Sequence, residues 1–385
     1  MALTDRDIRA VLATYPAEPV VATVGSHSAL DVADGAVSEG FATLVLAQAG
    51  REATYARYFR TVRAPDGSRR RGCVDEVWTY PRFADLAGAE AQERLRAKGA
   101  LLVPNRALSS YVPIPTIEDE LRVPIVGSRA MLRIEERTER DNYYTLLERA
   151  GIPTPRRIAS PDSIDGLAMV KLPHATRRLE RGFFTVASRA EFKAKAERLT
   201  AQGTISRDDL AGARIEEYVL GPVFNFNFFF SPLAPRAEGL ELLGVDERRE
   251  SDLDGLVRLP AAQQLELGDA GLTPRYTVVG HGTLTVRESI LEEVFRLGEK
   301  FVDAARARYP PGIIGPFCLQ TCLDREGRPV VFDVAVRIGG GTNVHLAVGH
   351  PYGNALWRTP MSTGRRLAIE MRHAINEGRL GEIVS

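Results

Sequence analysis

The amino-acid sequence predicts an α/β protein whose C-terminal part is α+β, and three features of the chain support that prediction. The first 125 residues alternate short apolar runs with helical stretches, a pattern typical of parallel strands joined by crossover helices. Beyond residue 150, several predicted strands follow one another without an intervening helix. The composition, with 44% apolar and 26% charged residues, is that of an ordinary globular protein.

Length, charge and cysteine content limit the possible functions. A chain of 385 residues is expected to form two or three domains, because a domain commonly has roughly 100–200 residues. Lys+Arg and Asp+Glu are equal at 50 each, so neither nucleic acid nor an anionic membrane surface is expected as the main partner. No apolar run reaches the ~18–20 residues of a membrane span. Residues 1–15 lack an apolar signal core and three cysteines cannot form a disulfide framework, so we expect a cytoplasmic protein.

Residues 1–125 are predicted to form a Rossmann-like domain. A short capped helix is followed by a β-branched strand, a glycine turn, a second helix and a second strand, which is the pattern of a βαβ unit. A later helix and strand repeat the cycle. In chain order, the predicted elements are helix 4–15, strand 19–24, helix 29–40, strand 42–47, helix 82–98 and strand 99–104.

The turn at residues 25–28, Gly-Ser-His-Ser, is the first candidate site. A strand that ends there and opens a helix presents backbone N–H groups and the positive end of the helix dipole, which together suit a phosphate. His27 can add a charge-assisted hydrogen bond. An ordinary strand-to-helix turn capped by Ser26 or Ser28 explains the same pattern, so the residues alone leave both interpretations open.

Two predicted strands in the middle of the chain carry charged residues. Lys171 lies in the apolar strand 168–173 and needs an anionic partner, which a nucleotide phosphate or a nearby carboxylate would supply. Glu216 and Glu217 lie on the strand 213–219. Such a strand can bind an adenine through its backbone groups and a ribose through a carboxylate. Solvated acids at an ordinary strand end are the alternative.

The residues 317–337 predict a β-hairpin with polar groups on one face. Residues two apart in a strand share a face. If Leu323 pairs with Val330, then Gln320 lies opposite Asp333, although a shift of one residue would separate them. Oxygen ligands from adjacent strands suit Mg²⁺, which binds through one or two side chains together with phosphates. A purely structural hairpin is the alternative.

Taken together, these segments resemble the ATP-grasp superfamily in their order: a Rossmann-like domain, a strand lysine, an acidic hinge and a carboxylate hairpin. They closely resemble those of the archaeal formate-dependent 5-formaminoimidazole-4-carboxamide ribonucleotide (FAICAR) synthetases. The similarity runs over essentially the whole chain. The segments that carry it are 22–30, 215–221, 254–258, 314–320 and 340–343.

The resemblance implies a fold and a reaction. The fold would be a Rossmann-like pre-ATP-grasp domain (1–125) followed by the small lid region (126–235) and the large C-terminal region (236–385) of an ATP-grasp enzyme. The reaction would be that of a carbon–nitrogen ligase of purine biosynthesis. ATP phosphorylates formate, and the 5-amino group of the aminoimidazole carboxamide ribotide (AICAR) attacks the product to give FAICAR. The resemblance also implies Mg²⁺ or Mn²⁺ and a homo-oligomer, with no nucleic-acid or membrane partner.

The same resemblance implies a role for individual residues. The substrate-binding residues would be His27, Ser28, Ala107, His281, Arg337 and Asn343. The ATP-binding residues would be Lys171, Glu216, Glu217, Tyr218, Val219 and Glu250. The metal ligands would be Gln320 and Asp333.

The chain departs from the family pattern at several of these places. The glycine-rich loop that closes over phosphates is represented by 173–182, which keeps one glycine, so the close backbone approach that glycine permits is lost. Ala107 and His281 replace a serine and an asparagine of the ribotide site, and Asp333 stands where the family prefers Glu. Two alternatives therefore stay open: a ligase for another carboxylate and amine, and a catalytically weak nucleotide-binding regulatory subunit.

Overall fold

The structure, a computed structural model, describes residues 3–173, 182–269 and 277–385. The α-helices are α1 (Asp5–Leu12), α2 (Ala29–Ser38), α3 (Ala89–Ala97), α4 (Arg106–Tyr111), α5 (Ile114–Asp119), α6 (Tyr143–Arg149), α7 (Arg189–Ala201), α8 (Arg207–Ala211), α9 (Ser251–Leu256), α10 (Ala261–Asp269), α11 (Glu288–Arg308), α12 (Pro351–Trp357) and α13 (Thr363–Asn376). Short 3₁₀ segments lie at Phe83–Ala87, Arg129–Glu135, Pro161–Ser163, Arg236–Glu238, Thr342–His345 and Leu380–Glu382, and a π-helical turn at Thr54–Tyr58.

The strands are β1 (Val20–Val24), β2 (Ala42–Gln48), β3 (Val62–Arg63), β4 (Arg69–Arg71), β5 (Glu76–Tyr80), β6 (Ala100–Val103), β7 (Arg157–Ile158), β8 (Ala168–Lys171), β9 (Phe183–Val186), β10 (Arg214–Glu217), β11 (Val223–Phe230), β12 (Leu240–Glu250), β13 (Val278–Leu284), β14 (Gly315–Leu323) and β15 (Pro329–Ala335). Apart from a hairpin of β3 and β4, they form three sheets. No helix in the described part of the chain is both long enough and apolar enough to cross a membrane.

The first sheet has the order β5-β2-β1-β6 and all its pairs are parallel. Every residue of β1 is buried, as expected for a central parallel strand covered on both faces. The carboxyl ends of the four strands therefore meet at one edge, and the turn at residues 25–28 lies on that edge. The predicted α/β architecture of this part is confirmed.

Two predicted helices are shorter than the sequence indicated. The helix predicted at 82–98 is divided at Gly88, which has an extended backbone, into a 3₁₀ segment and α3. The sequence also predicts a helix over 133–150, but the α-helix there begins only at Tyr143, because the Asn142 side chain accepts a hydrogen bond from the Tyr144 amide and caps it.

The second sheet, with the order β7-β10-β8-β9, is antiparallel and has a small core of its own. The third and central sheet has the order β13-β12-β11-β14-β15 and is also antiparallel. Strand β11 belongs to this central sheet, so residues 223–230 lie with the large region although the predicted boundary follows residue 235. The three-domain division stays a prediction.

Two glycines allow the first domain to approach the C-terminal part closely. A Cβ on Gly35 of α2 would lie 2.2 Å from the Arg365 backbone nitrogen, and one on Gly364 of α13 would lie 2.0 Å from the Asp31 carbonyl oxygen. Neither contact leaves space for a side chain. This close packing of α2 against α13 brings the turn at residues 25–28 towards the central sheet.

Candidate active site

Polar side chains form a row across one face of the central sheet. Register pairs join Thr283 to Asp246, Asp246 to Asn225, Asn225 to Gln320 and Gln320 to Asp333. Asp246 is buried and accepts hydrogen bonds from Asn225 (2.8 Å) and Asn227 (2.6 Å). Burial raises its pKa above the ordinary value for an aspartate. Sequence reasoning found only the last two members of the row, because a single hairpin reveals only its own two strands.

The hairpin of β14 and β15 confirms one pair and corrects the register assumed for it. At the turn, Leu323 pairs with Pro329 rather than with the next residue, so the assumed register is wrong there. A β-bulge then inserts Phe332 as an additional residue on β15, and beyond it Gln320 faces Asp333 as predicted.

The oxygen atoms at this end of the row fit a hard divalent cation. The Gln320 side-chain oxygen accepts a hydrogen bond from Arg248, and one Asp333 oxygen accepts the Val334 amide at 3.1 Å. The Oδ1 atom of Asn225 is buried and has no hydrogen-bond partner in the described chain. In the described part of the chain, no three or more His, Cys, Asp or Glu side chains are grouped so that they could hold a metal ion by themselves. This donor set therefore matches Mg²⁺, which relies on few protein ligands and on substrate phosphates.

Lys171 has a protein carboxylate as its anionic partner. It is 4% exposed and forms an ion pair with Glu216 across the pair β8–β10. Its Nζ also donates to the Tyr144 hydroxyl at 2.7 Å and to the Phe332 carbonyl at 3.1 Å. Burial lowers the pKa of Lys171, and the Glu216 charge opposes that effect. All three N–H donors of the ammonium group are engaged.

Two residues that sequence reasoning missed complete this cluster. The Tyr144 hydroxyl lies 2.9 Å from a Glu216 oxygen, and Arg214 Nε lies 3.2 Å from the same oxygen. The Arg214 guanidinium also stacks over the Tyr144 ring at 3.7 Å. Arg214 faces Lys171 in the strand register, which only the correct pairing of β8 and β10 would have revealed. Nothing in the sequence pointed to Tyr144.

The predicted adenine hinge follows β10. The Glu217 amide donates to the Arg156 carbonyl at 3.0 Å, and the Tyr218 amide donates to the Leu167 carbonyl at 2.9 Å. The Val219 amide makes no hydrogen bond within the described residues. Of the three hinge amides, that of Val219 is therefore the one that can donate a hydrogen bond to a base. The half-exposed Glu217 carboxylate lies two residues before it in the chain.

The loop at residues 339–343 lies between the first domain and the central sheet. A Cβ on Gly340 would lie 3.9 Å from His27, and one on Gly341 would lie 2.8 Å from His281. His27 is exposed. The surrounding protein nevertheless removes part of the water around the ring, which lowers the His27 pKa, and the positive charge of Arg337 lowers it further. The structure thus brings these predicted substrate-binding residues to one loop.

Helix α2 is joined to this loop by two hydrogen bonds. The Ser28 hydroxyl donates to the Gly339 carbonyl. The Asp31 amide, in the first turn of α2, donates to the Asn343 side-chain oxygen at 3.1 Å. One backbone donor of the predicted anion site is therefore already used by Asn343.

Other predicted residues have partners of their own, although Asn105 joins Ala107 to the turn at residues 25–28 by donating to the His27 carbonyl at 3.2 Å. Ala107 is 3% exposed, packs in the main hydrophobic core, and donates its amide to the Asn105 side chain. Glu250 ends β12 and donates its amide to Asp254 at 2.5 Å. The phosphate loop at 174–181 lies outside the described residues. The ligand roles of all these residues stay predictions.

Comparison with known proteins gives consistent matches over the full chain. Two family models match, a protein of unknown function (DUF1246) at residues 21–158 and a domain of unknown function (DUF1297) at residues 191–385. The chain is similar to 5-formaminoimidazole-4-carboxamide-1-(beta)-D-ribofuranosyl 5'-monophosphate synthetases. It is 38% identical over 368 residues to that of Methanocaldococcus jannaschii, covering 96% of this chain and 95% of the relative. It is 39% identical over 384 residues to that of Methanopyrus kandleri, covering 100% of both.

Solved structures agree with these relatives. The IMP biosynthesis protein PurP from Thermococcus kodakaraensis matches with a TM-score of 0.69 and 28% identity, covering 95% of this chain and 100% of that one. The N5-carboxyaminoimidazole synthetase from Staphylococcus aureus complexed with ADP matches with a TM-score of 0.54 and 12% identity, covering 86% of this chain and 72% of that one. The second likeness concerns the fold alone.

Proposed function

Since the chain belongs to the family of 5-formaminoimidazole-4-carboxamide-1-(beta)-D-ribofuranosyl 5'-monophosphate (FAICAR) synthetases, we propose that it is the ATP- and formate-dependent ligase that makes FAICAR from AICAR in purine biosynthesis. Its fold is that of the ATP-grasp carbon–nitrogen ligases. We place the enzyme in the cytoplasm and expect a homo-oligomer. The observation that carries the proposal for these residues is the row that ends in Gln320 and Asp333, beside the Lys171 cluster.

The proposed reaction has two steps. A formate oxygen attacks the γ-phosphorus of ATP, the bond to the β-phosphate oxygen breaks, and ADP leaves with formation of formyl phosphate. The 5-amino nitrogen of AICAR then attacks the formyl carbon, the carbon–oxygen bond to phosphate breaks, and the nitrogen loses a proton. Both steps gather negative charge on phosphate oxygens, which cationic groups must stabilise.

The nucleotide would bind between the second and the central sheet. The Val219 amide would hold the adenine and the Glu217 carboxylate the ribose. Lys171 would have to exchange one of its three present partners for a phosphate oxygen. Gln320 and Asp333 would hold Mg²⁺ or Mn²⁺, which when bound neutralises charge on the phosphates.

The ribotide would bind at the loop 339–343. His27, His281 and Arg337 lie around that loop. In the turn at residues 25–28 the Gly25 and Ser26 amides donate to Leu46 and Val24, so the amides of His27 and Ser28 would bind the ribotide phosphate. The ribotide would then lie over the same face of the central sheet as the polar row, because Gly341 packs against Asp246, at the opposite part of the row from Asp333.

The test is phosphate release from ATP and Mg²⁺ with formate and AICAR, omitting one component at a time. The product is identified by mass spectrometry with ¹³C-formate, and Asp333→Asn serves as the inactive control. Formate-dependent release that requires AICAR, with labelled FAICAR, is expected. Release with another amine but not with AICAR would replace this proposal by a ligase of different specificity. ATP binding without release under any combination of acids and amines would favour the regulatory subunit.

A further inference from the structure

Tyr144 is buried at the point where three parts of the chain meet. It lies on α6, and its hydroxyl accepts a hydrogen bond from Lys171 of β8 at 2.7 Å. The same hydroxyl lies 2.9 Å from Glu216 of β10 and 3.3 Å from the carbonyl of Phe332 on β15. One hydroxyl group thus contacts a buried strand lysine, its counterion and the bulge of the central sheet.

The hydroxyl is held in one position. Arg214 stacks over the Tyr144 ring at 3.7 Å, and the centroid of the neighbouring Tyr143 ring lies 4.5 Å from that of Tyr144. Burial raises the pKa of Tyr144 well above the ordinary value, so the phenol keeps its single proton. The Glu216 oxygen lies at 2.9 Å and the Phe332 carbonyl at 3.3 Å, so we assign the proton to the bond with Glu216. The hydroxyl oxygen is then left to accept the hydrogen bond from Lys171.

The Phe332 carbonyl belongs to the same peptide unit as the nitrogen of Asp333, so a hydrogen bond to this carbonyl also orients the backbone at Asp333. Phe332 is the additional residue of the bulge, and the bulge is what places Gln320 opposite Asp333. Lys171 donates to this carbonyl at 3.1 Å, and Lys171 is itself held by Tyr144. The orientation of that peptide therefore depends on the position of the Lys171 ammonium group.

We propose that Tyr144 is a positioning residue that, through Lys171 and the Phe332 carbonyl, sets the bulge and thereby the Asp333 carboxylate for binding a divalent cation with the nucleotide. The proposal rests on the proposed function, since it takes Asp333 as the metal ligand. It assigns Tyr144 no contact with a substrate.

The experiment compares the parent protein with Tyr144→Phe and with a matched control, Tyr309→Phe. The Tyr309 hydroxyl also donates to a main-chain carbonyl, that of Asp141 at 3.0 Å, close to the start of α6 but without contact to Lys171. Two quantities are measured: Mn²⁺ affinity in the presence of ADP, by electron paramagnetic resonance, and AICAR affinity, by calorimetry. Circular dichroism verifies that each variant is folded.

Tyr144→Phe is expected to weaken Mn²⁺ binding about ten-fold, the effect of losing one hydrogen bond to a charged group, and to leave AICAR affinity unchanged. Tyr309→Phe is expected to change neither. In turnover, the Mg²⁺ concentration for half-saturation should rise in Tyr144→Phe while the rate at saturating Mg²⁺ changes less.

Three results would overturn the proposal. One is Mn²⁺ affinity in Tyr144→Phe equal to that of the parent, and another is a parallel loss of Mn²⁺ and AICAR affinity, which indicates a general structural role. The third is an equal loss of Mn²⁺ affinity in Tyr309→Phe. If the parent binds Mn²⁺ with ADP but makes no FAICAR, the proposed function fails while the metal affinities still decide the role of Tyr144.

Discussion

Removing the Lys171 side chain isolates a buried carboxylate. Glu216, which is 2% exposed in the parent protein, loses its lysine partner in Lys171→Ala. Removing one member of a buried ion pair costs about 3–5 kcal/mol of unfolding free energy. Arg214 Nε at 3.2 Å and the Tyr144 hydroxyl at 2.9 Å still contact Glu216. We therefore expect a loss near the lower limit, about 3 kcal/mol, because part of the charge stays compensated.

A second substitution tests the cause of this loss. Lys171→Ala with Glu216→Gln removes both charges of the buried pair, and replacing a whole buried pair is often close to neutral. Arg214, at 16% exposure, then keeps the Glu148 contact at 3.9 Å, so the recovery is incomplete. The double variant should therefore be more stable than Lys171→Ala by about 2 kcal/mol. The assay is urea unfolding at pH 7 followed by circular dichroism, with the denaturant slope compared among variants.

The chain offers a matched control for the same chemistry at the surface. Lys195 pairs with Glu191 at 2.6 Å and donates to the Thr185 carbonyl at 2.8 Å, but its side chain is 30% exposed. Lys195→Ala should cost no more than about 1 kcal/mol. A double variant at positions 171 and 216 that is no more stable than Lys171→Ala would refute the reasoning, since Glu216 would then carry no uncompensated charge.

Three further predictions concern the site and its surroundings. Asp333→Asn keeps the side-chain shape and removes the charge, so turnover should fall about 100-fold with an unchanged urea midpoint, and full activity would exclude Asp333 as the metal carboxylate. His27→Ala should weaken AICAR binding about ten-fold in calorimetry while ATP binding stays constant, whereas equal losses for both ligands would argue against a ribotide contact. Burial raises the pKa of Asp31 from the ordinary 3.8 to about 6, so the folded protein favours the protonated carboxyl. The stability that this preference contributes is fully present below pH 3.8 and is lost as pH rises through 6. Asp31→Asn should therefore gain stability relative to the parent by up to about 3 kcal/mol between pH 4 and 7 in urea unfolding, and a pH-independent difference would disprove this.

The sequence predicted which polar residues of the hairpin face each other but not the reason. Alternation along each strand places Gln320 and Asp333 on defined faces, and the structure confirms that these two residues face each other. The assumed register was wrong at Leu323, and the bulge at Phe332 restores the pair. The Phe332 carbonyl at this bulge accepts a hydrogen bond from Lys171, which in turn donates to Tyr144, and no local pattern reveals such contacts.

The partner of Lys171 was undetermined for a similar reason. A buried lysine requires an anion, and the sequence left a phosphate and a carboxylate as equal possibilities. Antiparallel pairing of β8 with β10 decides it, because it places Arg214 opposite Lys171 and brings Glu216 within reach. Strand pairing between segments about 45 residues apart is a non-local property, which periodicity within either segment does not contain.

The two substitutions in the predicted ribotide site have different structural consequences. The Ala107 side chain lies in the main core at 3% exposure, so a change there acts on packing. His281 lies next to Gly341 and faces Arg248 in the register of β12 and β13. Arg248 in turn donates to the Gln320 side chain. A substitution at position 281 is therefore expected to change the packing of the loop proposed to bind the ribotide and, through Arg248, the position of the proposed metal ligand Gln320. If this chain prefers a different acceptor from its relatives, we therefore expect His281 to contribute more than Ala107.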